Sequence, residues 1–328
     1  VSEEILALGG VAATPDVVLT GHAVAGMAVY YLGDLNVALP HLEHAATIAA
    51  SVPPIGIGSV SGSLMSGYDT GVPSLITLGQ ALTLAGRGAQ GQGAVAAALA
   101  RAGKIETPWY TGYALSGACA IAVIRRDPEQ VRQRADQLLR FCGEAQALHL
   151  QAYARFMLRW VTVVESGTAA ATASLHAALD EVNAVHNPLI MCRNFSVLAD
   201  VHLRFGQVSQ AAEALEQAFS TRGEARYFDA ELIRQRAALI LARNQGKRLL
   251  LRDRKEIEDS LESAIETATR QGTHLFGLRA SVELCRFWAA TDRADEGRRR
   301  LALALAAVDV GDNEIDVRQA QALLAPPA

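Results

Sequence analysis

Apolar residues recur along this chain with the three- and four-residue spacing of amphipathic helices, and single turn residues interrupt the pattern at short intervals. One helical pattern ends at Gly33, and the next carries Ala38 and Ala45 on its apolar face. The same arrangement surrounds Gly206, which two alanines follow at the same distances. Because antiparallel helices approach closely only where small residues face each other, each of these segments is predicted to be a helical hairpin.

The turn residues recur about every 40 residues, a period typical of stacked helical repeats. They lie near residues 33, 86, 126, 167, 206, 244–255 and 292. A single hairpin of this kind cannot bury its own apolar face without neighbours. The pattern therefore predicts an all-α fold, a right-handed superhelical solenoid of about seven helical hairpins.

We expect this solenoid to be a single domain over residues 1–328. Residues 51–70 are rich in Gly, Ser and Pro and are predicted to form a long loop, and residues 244–255 lengthen the sixth turn. A last amphipathic segment, 314–325, is expected to cap the stack. The chain starts at Val1 without a leader pattern, so we interpret it as a piece of a longer protein.

The paired-helix pattern, with its turn glycine and two alanines per hairpin, resembles the tetratricopeptide repeat (TPR) with a longer period. Over about residues 19–325 the chain is similar to the C-terminal repeat region of bacterial multidomain signalling ATPases, which carry a cyclase domain or a winged-helix transcriptional-regulator domain. The segments that carry this resemblance are "VYYLGDLNVALPHLEHA", "GYDTGVPSLITLGQALTLAGR", "YFDAELIRQRAALILA" and "AIETATRQGTHLFGLRASVELCRFWAATDRADEGRRRL". Arg126-Asp127-Pro128 stands where a turn glycine is usual.

The resemblance implies a non-catalytic regulatory region that binds a protein, a peptide or an effector in a concave groove. One expected partner is the neighbouring ATPase or output domain of the same polypeptide. Two other functions stay open: a small-molecule sensor with a pocket near Trp109, Tyr113 and Trp160, and an oligomerisation scaffold that forms a homo-oligomer. In solenoids the first helix of each hairpin lines the groove, so we expect its polar residues to bind the partner.

The candidate groove residues are the tyrosines and charged residues of these first helices. A pairing of the charges across neighbouring hairpins is an equally good interpretation for any one of them. The candidates are Tyr31, Tyr113, Glu165, Arg193, Asp200, Arg204, Glu231 and Arg234.

The charge distribution argues against nucleic acid as a partner. The net charge is −4, and residues 1–100 hold six acidic residues and a single cation, Arg87. Proteins that bind nucleic acid neutralise phosphates with clustered basic residues, and this chain has no such stripe in its first third. The uncharged run 107–124 is interrupted by proline and glycine, so we expect a buried helix there rather than a membrane span. Four dispersed cysteines favour a reducing compartment, and we expect a cytoplasmic protein.

Two motifs suggest chemistry, and each has a structural alternative. Gly86-x-Gly88-x-x-Gly91 has the spelling of a dinucleotide-binding loop, but the residues before it form a helical pattern instead of a strand. His41-x-x-His44 places two imidazoles on one helix face, where a solvated face is the better interpretation without a third ligand. We expect no catalytic residues, no cofactor and no metal, and therefore no enzyme.

Overall fold

The structure is a computed structural model that describes residues 14–54, 68–145, 147–184, 188–289, 291–309 and 315–325. Within these ranges the chain forms fifteen α-helices, one short 3-10 helix at Ala169–Ala171 and no strand, which confirms the all-α prediction. The helices are α1 Pro15–Leu32, α2 Leu35–Ser51, α3 Gly71–Leu84, α4 Gly88–Ala102, α5 Pro108–Ile124, α6 Pro128–Ala145, α7 Leu148–Ser166, α8 Thr172–Asn183, α9 Pro188–Arg204, α10 Val208–Thr221, α11 Asp229–Arg243, α12 Leu251–Gln271, α13 His274–Trp288, α14 Ala294–Ala306 and α15 Ile315–Leu324.

The chain divides into two compact units. The first unit comprises Val1–Thr83 with Arg87–Leu158, and the second comprises Leu84–Gly86 with Arg159–Ala328. Consecutive helices pack as pairs in both: α1 with α2 and α5 with α6 in the first unit, and α9 with α10, α11 with α12 and α13 with α14 in the second. The continuous right-handed solenoid over residues 1–328 stays a prediction.

A left-handed residue ends the first helix of several pairs. Gly33 has φ 86°, and its N–H and that of Asp34 bond to carbonyls of the last turn of α1. Arg126 adopts the same conformation with φ 57°, and Asp127 N–H reaches Ala122 O at 3.0 Å. Arg126 is the one residue other than glycine with positive φ within the described ranges. The turn geometry is therefore kept where the sequence departs from the repeat pattern.

Two segments differ in detail from their sequence-based assignment. Helix α12 begins at Leu251, inside the segment 244–255 that the sequence pattern assigns to a lengthened turn. Residues 247–271 include neither glycine nor proline, and Asp253 lies in the first turn, where a carboxylate favours helix formation. Of the expected loop 51–70, residues 52–54 and 68–70 lie outside helices, Ser51 ends α2, and 55–67 fall outside the described residues.

Glycines set how closely α3 and α4 approach in the first unit. A Cβ built on Gly91 would lie 2.6 Å from Thr83 Oγ1 and 2.9 Å from Gly79 O. Neither the helix backbone nor the buried threonine can move away without a shift of α3. The Gly86-x-Gly88-x-x-Gly91 motif thus follows a helix and serves a turn and a close helix contact.

The uncharged run in the first unit forms the buried helix α5. Its residues from Ala114 to Ile124 are almost all buried, and Gly117 packs directly against Ile76 of α3. No helix among the described residues combines the length and apolar character needed to cross a bilayer.

A pair of glycine substitutions in α4 tests this packing. We expect Gly91→Ala to lower the free energy of unfolding by about 1–3 kcal/mol, because the added methyl group overlaps the α3 backbone. Gly93→Ala, two residues away, is expected to raise it by about 0.5–1 kcal/mol, since a Cβ added there would meet nothing within 4 Å and alanine is the better helix former. Urea unfolding of both variants measures the difference, and equal effects would contradict the assigned contact.

Candidate functional site

Arg101 holds the two ends of the loop between α2 and α3 together. Its Nη1 donates to the carbonyl oxygens of Ala49 at 2.6 Å and Val52 at 2.9 Å, at the C-terminal end of α2. Its Nε and Nη2 donate to the buried carboxylate of Asp69 at 3.0 and 2.7 Å. Asp69 Oδ1 also accepts from Val72 N–H at 3.0 Å, which caps α3. Sequence reasoning missed this clamp, because its partners lie 32 to 52 residues away.

Four aromatic residues next to this clamp contact one another and form a cluster that we call the aromatic patch: Tyr68, Trp109, Tyr110 and Tyr113. Trp109 and Tyr113 stack with ring centroids 5.0 Å apart and an interplanar angle of 24°. Tyr68 lies 5.4 Å from Trp109 and 5.6 Å from Tyr110. The buried Tyr110 hydroxyl accepts a hydrogen bond from Asp69 N–H at 2.6 Å. The patch is therefore fixed to the clamp.

The patch combines exposed ring area with a neutral hydroxyl. Tyr68 is 41% exposed and Trp109 is 38% exposed, so both rings reach the surface. Burial, followed by the neighbouring Tyr110 and Asp69, raises the pKa of Tyr68 to about 12. Tyr68 therefore stays protonated at neutral pH and offers one hydroxyl donor beside the stacked rings.

Two further aromatic residues of the sequence predictions, Tyr31 and Trp160, are not among the four residues of the patch. Tyr31 is half-buried and packs edge-on against Tyr30 with centroids 5.1 Å apart. Trp160 is buried, 6% exposed, and belongs to the second compact unit. The expected pocket near Trp109, Tyr113 and Trp160 stays a prediction.

Three of the predicted groove residues meet in the second unit. Arg234 of α11 binds Glu231, one turn earlier, through two parallel hydrogen bonds of 2.9 Å. Its Nη2 donates to Asp200 of α9 at 3.2 Å, and its Nη1 pairs with Glu283 of α13. Burial lowers the pKa of Arg234, but the carboxylates of Glu231, Glu283 and Asp200 more than offset this and hold it above its ordinary value.

The same network extends to the last helix. Arg279 of α13 donates to Glu231 at 3.5 Å and to Asp316 of α15 at 2.8 and 2.9 Å. We call these six residues the charge network: Asp200, Glu231, Arg234, Arg279, Glu283 and Asp316. It connects α9, α11, α13 and α15, which are the first helices of successive pairs and the capping helix. Asp316 carries no sequence signal for this role, since its partner lies 37 residues away.

This arrangement corrects part of the predicted groove set. Arg193, Glu231 and Arg234 are predicted to point outward, but each is only 3% exposed. A bidentate ion pair with Glu231, together with the carboxylates of Asp200 on α9 and Glu283 on α13, holds Arg234 inside. The position of Arg234 along α11 does not show this. Glu165 and Arg204 are exposed, and Arg204 lies near the face of the adjacent Phe205 ring.

The histidine pair on α2 has a third imidazole beside it. His22 of α1 places its Nδ1 2.9 Å from Nδ1 of His41, and its ring centroid lies 4.3 Å from that of His44. Burial, followed by the nearby His44 and His41, lowers the pKa of His22. We call these three residues the histidine cluster. The sequence shows only the α2 pair, because His22 joins it through the helix contact.

No protein-family model matches this chain, and no curated protein matches it. Among solved structures it is similar to the crystal structure of a Signal Transduction ATPase with Numerous Domains (STAND) protein with a tetratricopeptide repeat sensor from Pyrococcus horikoshii. That alignment covers 98% of this chain and 51% of the other, with 11% identity and a TM-score of 0.43. The chain thus spans about half the length of that structure. The finer resemblance, to cyclase-linked or winged-helix regulators, stays a prediction.

Two arginines of α11 test the charge network. We expect Arg234→Met to lower the free energy of unfolding by about 3–5 kcal/mol, because it leaves buried carboxylates uncompensated. Arg236→Met is the control: this side chain is 62% exposed and pairs with Glu256 at 3.6 Å. We expect the control to change stability by less than about 0.5 kcal/mol. Urea unfolding measures both, and a loss below about 1 kcal/mol for Arg234→Met would contradict the role of the network.

Proposed function

We propose that this chain is a non-catalytic regulatory region that binds a protein or peptide segment along α9, α11 and α13 of the second unit. The observation that carries the proposal is the row of first helices: α9 packs against α11, α11 against α13, and α13 against α15. Such a row presents one continuous helical surface, which is how helical repeats hold extended partners. The charge network holds these helices in fixed positions relative to one another through buried hydrogen bonds.

The surface above this row carries charges of both signs. Asp200 and Glu283 flank Arg234, with side chains 41% and 22% exposed. Arg204 follows Asp200 by one turn on α9, and Arg286 follows Glu283 by one turn on α13; both arginines are exposed. We call Asp200, Arg204, Glu283 and Arg286 the mixed-charge strip. Alternating signs suit a peptide or helix with acidic and basic residues better than a polyanion.

The resemblance to multidomain signalling ATPases supports a partner within the same polypeptide, namely the neighbouring ATPase or output domain. Binding along the strip would stabilise one arrangement of the helix row and so favour one state of that domain. A cytoplasmic bacterial regulator with a cyclase or winged-helix output is the finer form of this proposal, and it rests on the resemblance alone.

Site-specific photo-cross-linking in cells that naturally express the protein tests the strip. A benzophenone amino acid replaces Arg204 or Arg286 in the full chain, and mass spectrometry identifies the adducts. We expect the same partner peptide from both positions. A probe at the exposed Glu216 of α10, the second helix of a pair, is the matched control and is expected to give no such adduct.

The interaction must also depend on charge. We expect Arg204→Glu, at a residue outside the charge network, to reduce the adduct at position 286 by at least about tenfold, because it reverses a charge of the strip. Adducts that are equal at 204, 286 and 216, or that persist after charge reversal, would overturn the proposal. An adduct with a second copy of this chain would instead favour the oligomerisation scaffold.

A small-molecule sensor is the second candidate, and the aromatic patch favours it. The exposed Trp109 stacked on Tyr113 offers a flat surface for a ring-shaped ligand, and the Tyr68 hydroxyl offers a hydrogen-bond donor. Such a ligand is held by stacking, so its affinity depends on the indole.

A thermal-shift screen with ring-containing metabolites tests this candidate. We expect one compound class to raise the melting temperature of the chain and Trp109→Ala to abolish the shift. Leu148→Ala, at an exposed apolar residue outside the patch, is the control and is expected to keep it. A shift that survives Trp109→Ala would place the ligand elsewhere and contradict a role for the patch.

A further inference from the structure

The histidine cluster brings three metal-ligating side chains together from two helices. His22 lies on α1, while His41 and His44 lie three residues apart on one face of α2. His22 and His41 are half-buried and His44 is exposed, so the cluster is open to solvent. The carboxylate of the nearby Glu43 forms an ion pair with Arg87, with Oε1 2.9 Å from Nη1, and is therefore directed to the arginine.

The ring nitrogens have a separation close to that of zinc ligands. His22 Nδ1 and His41 Nδ1 lie 2.9 Å apart, a hydrogen bond in which one ring donates and the other accepts. Zinc–nitrogen bonds of about 2.0–2.1 Å in tetrahedral geometry separate two ligand nitrogens by about 3.3 Å. A movement of a few tenths of an ångström therefore makes room for a metal ion between the two rings.

The third ring must rotate to join them. His44 faces His22 with ring centroids 4.3 Å apart and an interplanar angle of 38°, a packed arrangement. As the structure stands, no group of three or more His, Cys, Asp or Glu side chains within the described residues is placed to hold a metal ion, so the site requires this rotation. His44 is exposed, so rotation about its side-chain bonds meets little packing resistance.

We propose that His22, His41 and His44 form a Zn²⁺ site that links α1 to α2. The metal displaces the proton that lies between the two Nδ1 atoms, and the ring that loses this proton takes one up at Nε2, so both rings bind as neutral imidazoles with no net release of protons. Three neutral imidazoles hold the ion, and water completes the tetrahedron. Because the ligands come from both helices, binding stabilises the first helical pair.

Zinc titration of the untagged full chain tests the site. Isothermal calorimetry with Zn²⁺ is expected to show one ion per chain, and thermal unfolding is expected to shift upward with added Zn²⁺. We expect His22→Gln and His44→Gln each to weaken binding by at least about tenfold, since each removes a ligand. His149→Gln, at an exposed histidine outside the cluster, is the matched control and is expected to bind as the wild type does.

Co²⁺ provides a readout that does not depend on stability. In the wild-type chain we expect the intense visible absorption of four-coordinate Co²⁺, displaced by stoichiometric Zn²⁺, and its loss in His22→Gln. Circular dichroism confirms that each variant is helical, and the exposed His44→Gln replaces His22→Gln if that variant does not fold. Absence of Zn²⁺ binding in the wild type, or unchanged affinity in both folded variants, would overturn the proposal.

Discussion

The close approach of paired helices through small residues is the constraint on which the rest of this structure depends. Gly26 packs against Leu42 between α1 and α2, and Gly91 packs against the backbone of α3 at Gly79. In the second unit, Ala199 of α9 and Ala211 of α10 are fully or almost fully buried. A larger side chain at such points separates the helices and exposes the apolar faces that each pair buries.

This tight packing leaves long polar side chains to connect one helical pair with the next. Arg101 reaches carbonyls of α2 and the carboxylate of Asp69 before α3, and Arg234 and Arg279 connect four helices in the second unit. Buried ion pairs of this kind contribute modestly to net stability, because desolvation offsets their attraction. They nevertheless link successive helices directly, as Arg279 of α13 does with Asp316 of α15.

Much of the helical architecture could be predicted from the sequence, whereas the contacts of its polar residues could not. The break at Gly33 predicts a turn because glycine tolerates positive φ, and Arg126 keeps the same turn at a position without glycine. The candidate groove residues are chosen by their positions along the helices. These positions agree with the exposure of Arg204 but do not reveal that Arg234 is buried. Burial of an arginine requires carboxylates from other helices, and their positions depend on how those helices pack.

The sequence by itself determined the helical pairs, their small-residue contacts and the buried character of α5, because these follow from residue volume and periodicity within about 40 residues. Only the tertiary structure decided which titratable groups meet: Arg101 with Asp69, Arg279 with Asp316, and His22 with His41. Hydrogen bonds and ion pairs act over a few ångströms in space and impose no period along the chain. Partners on different helices therefore leave no pattern in the sequence until the fold places them together.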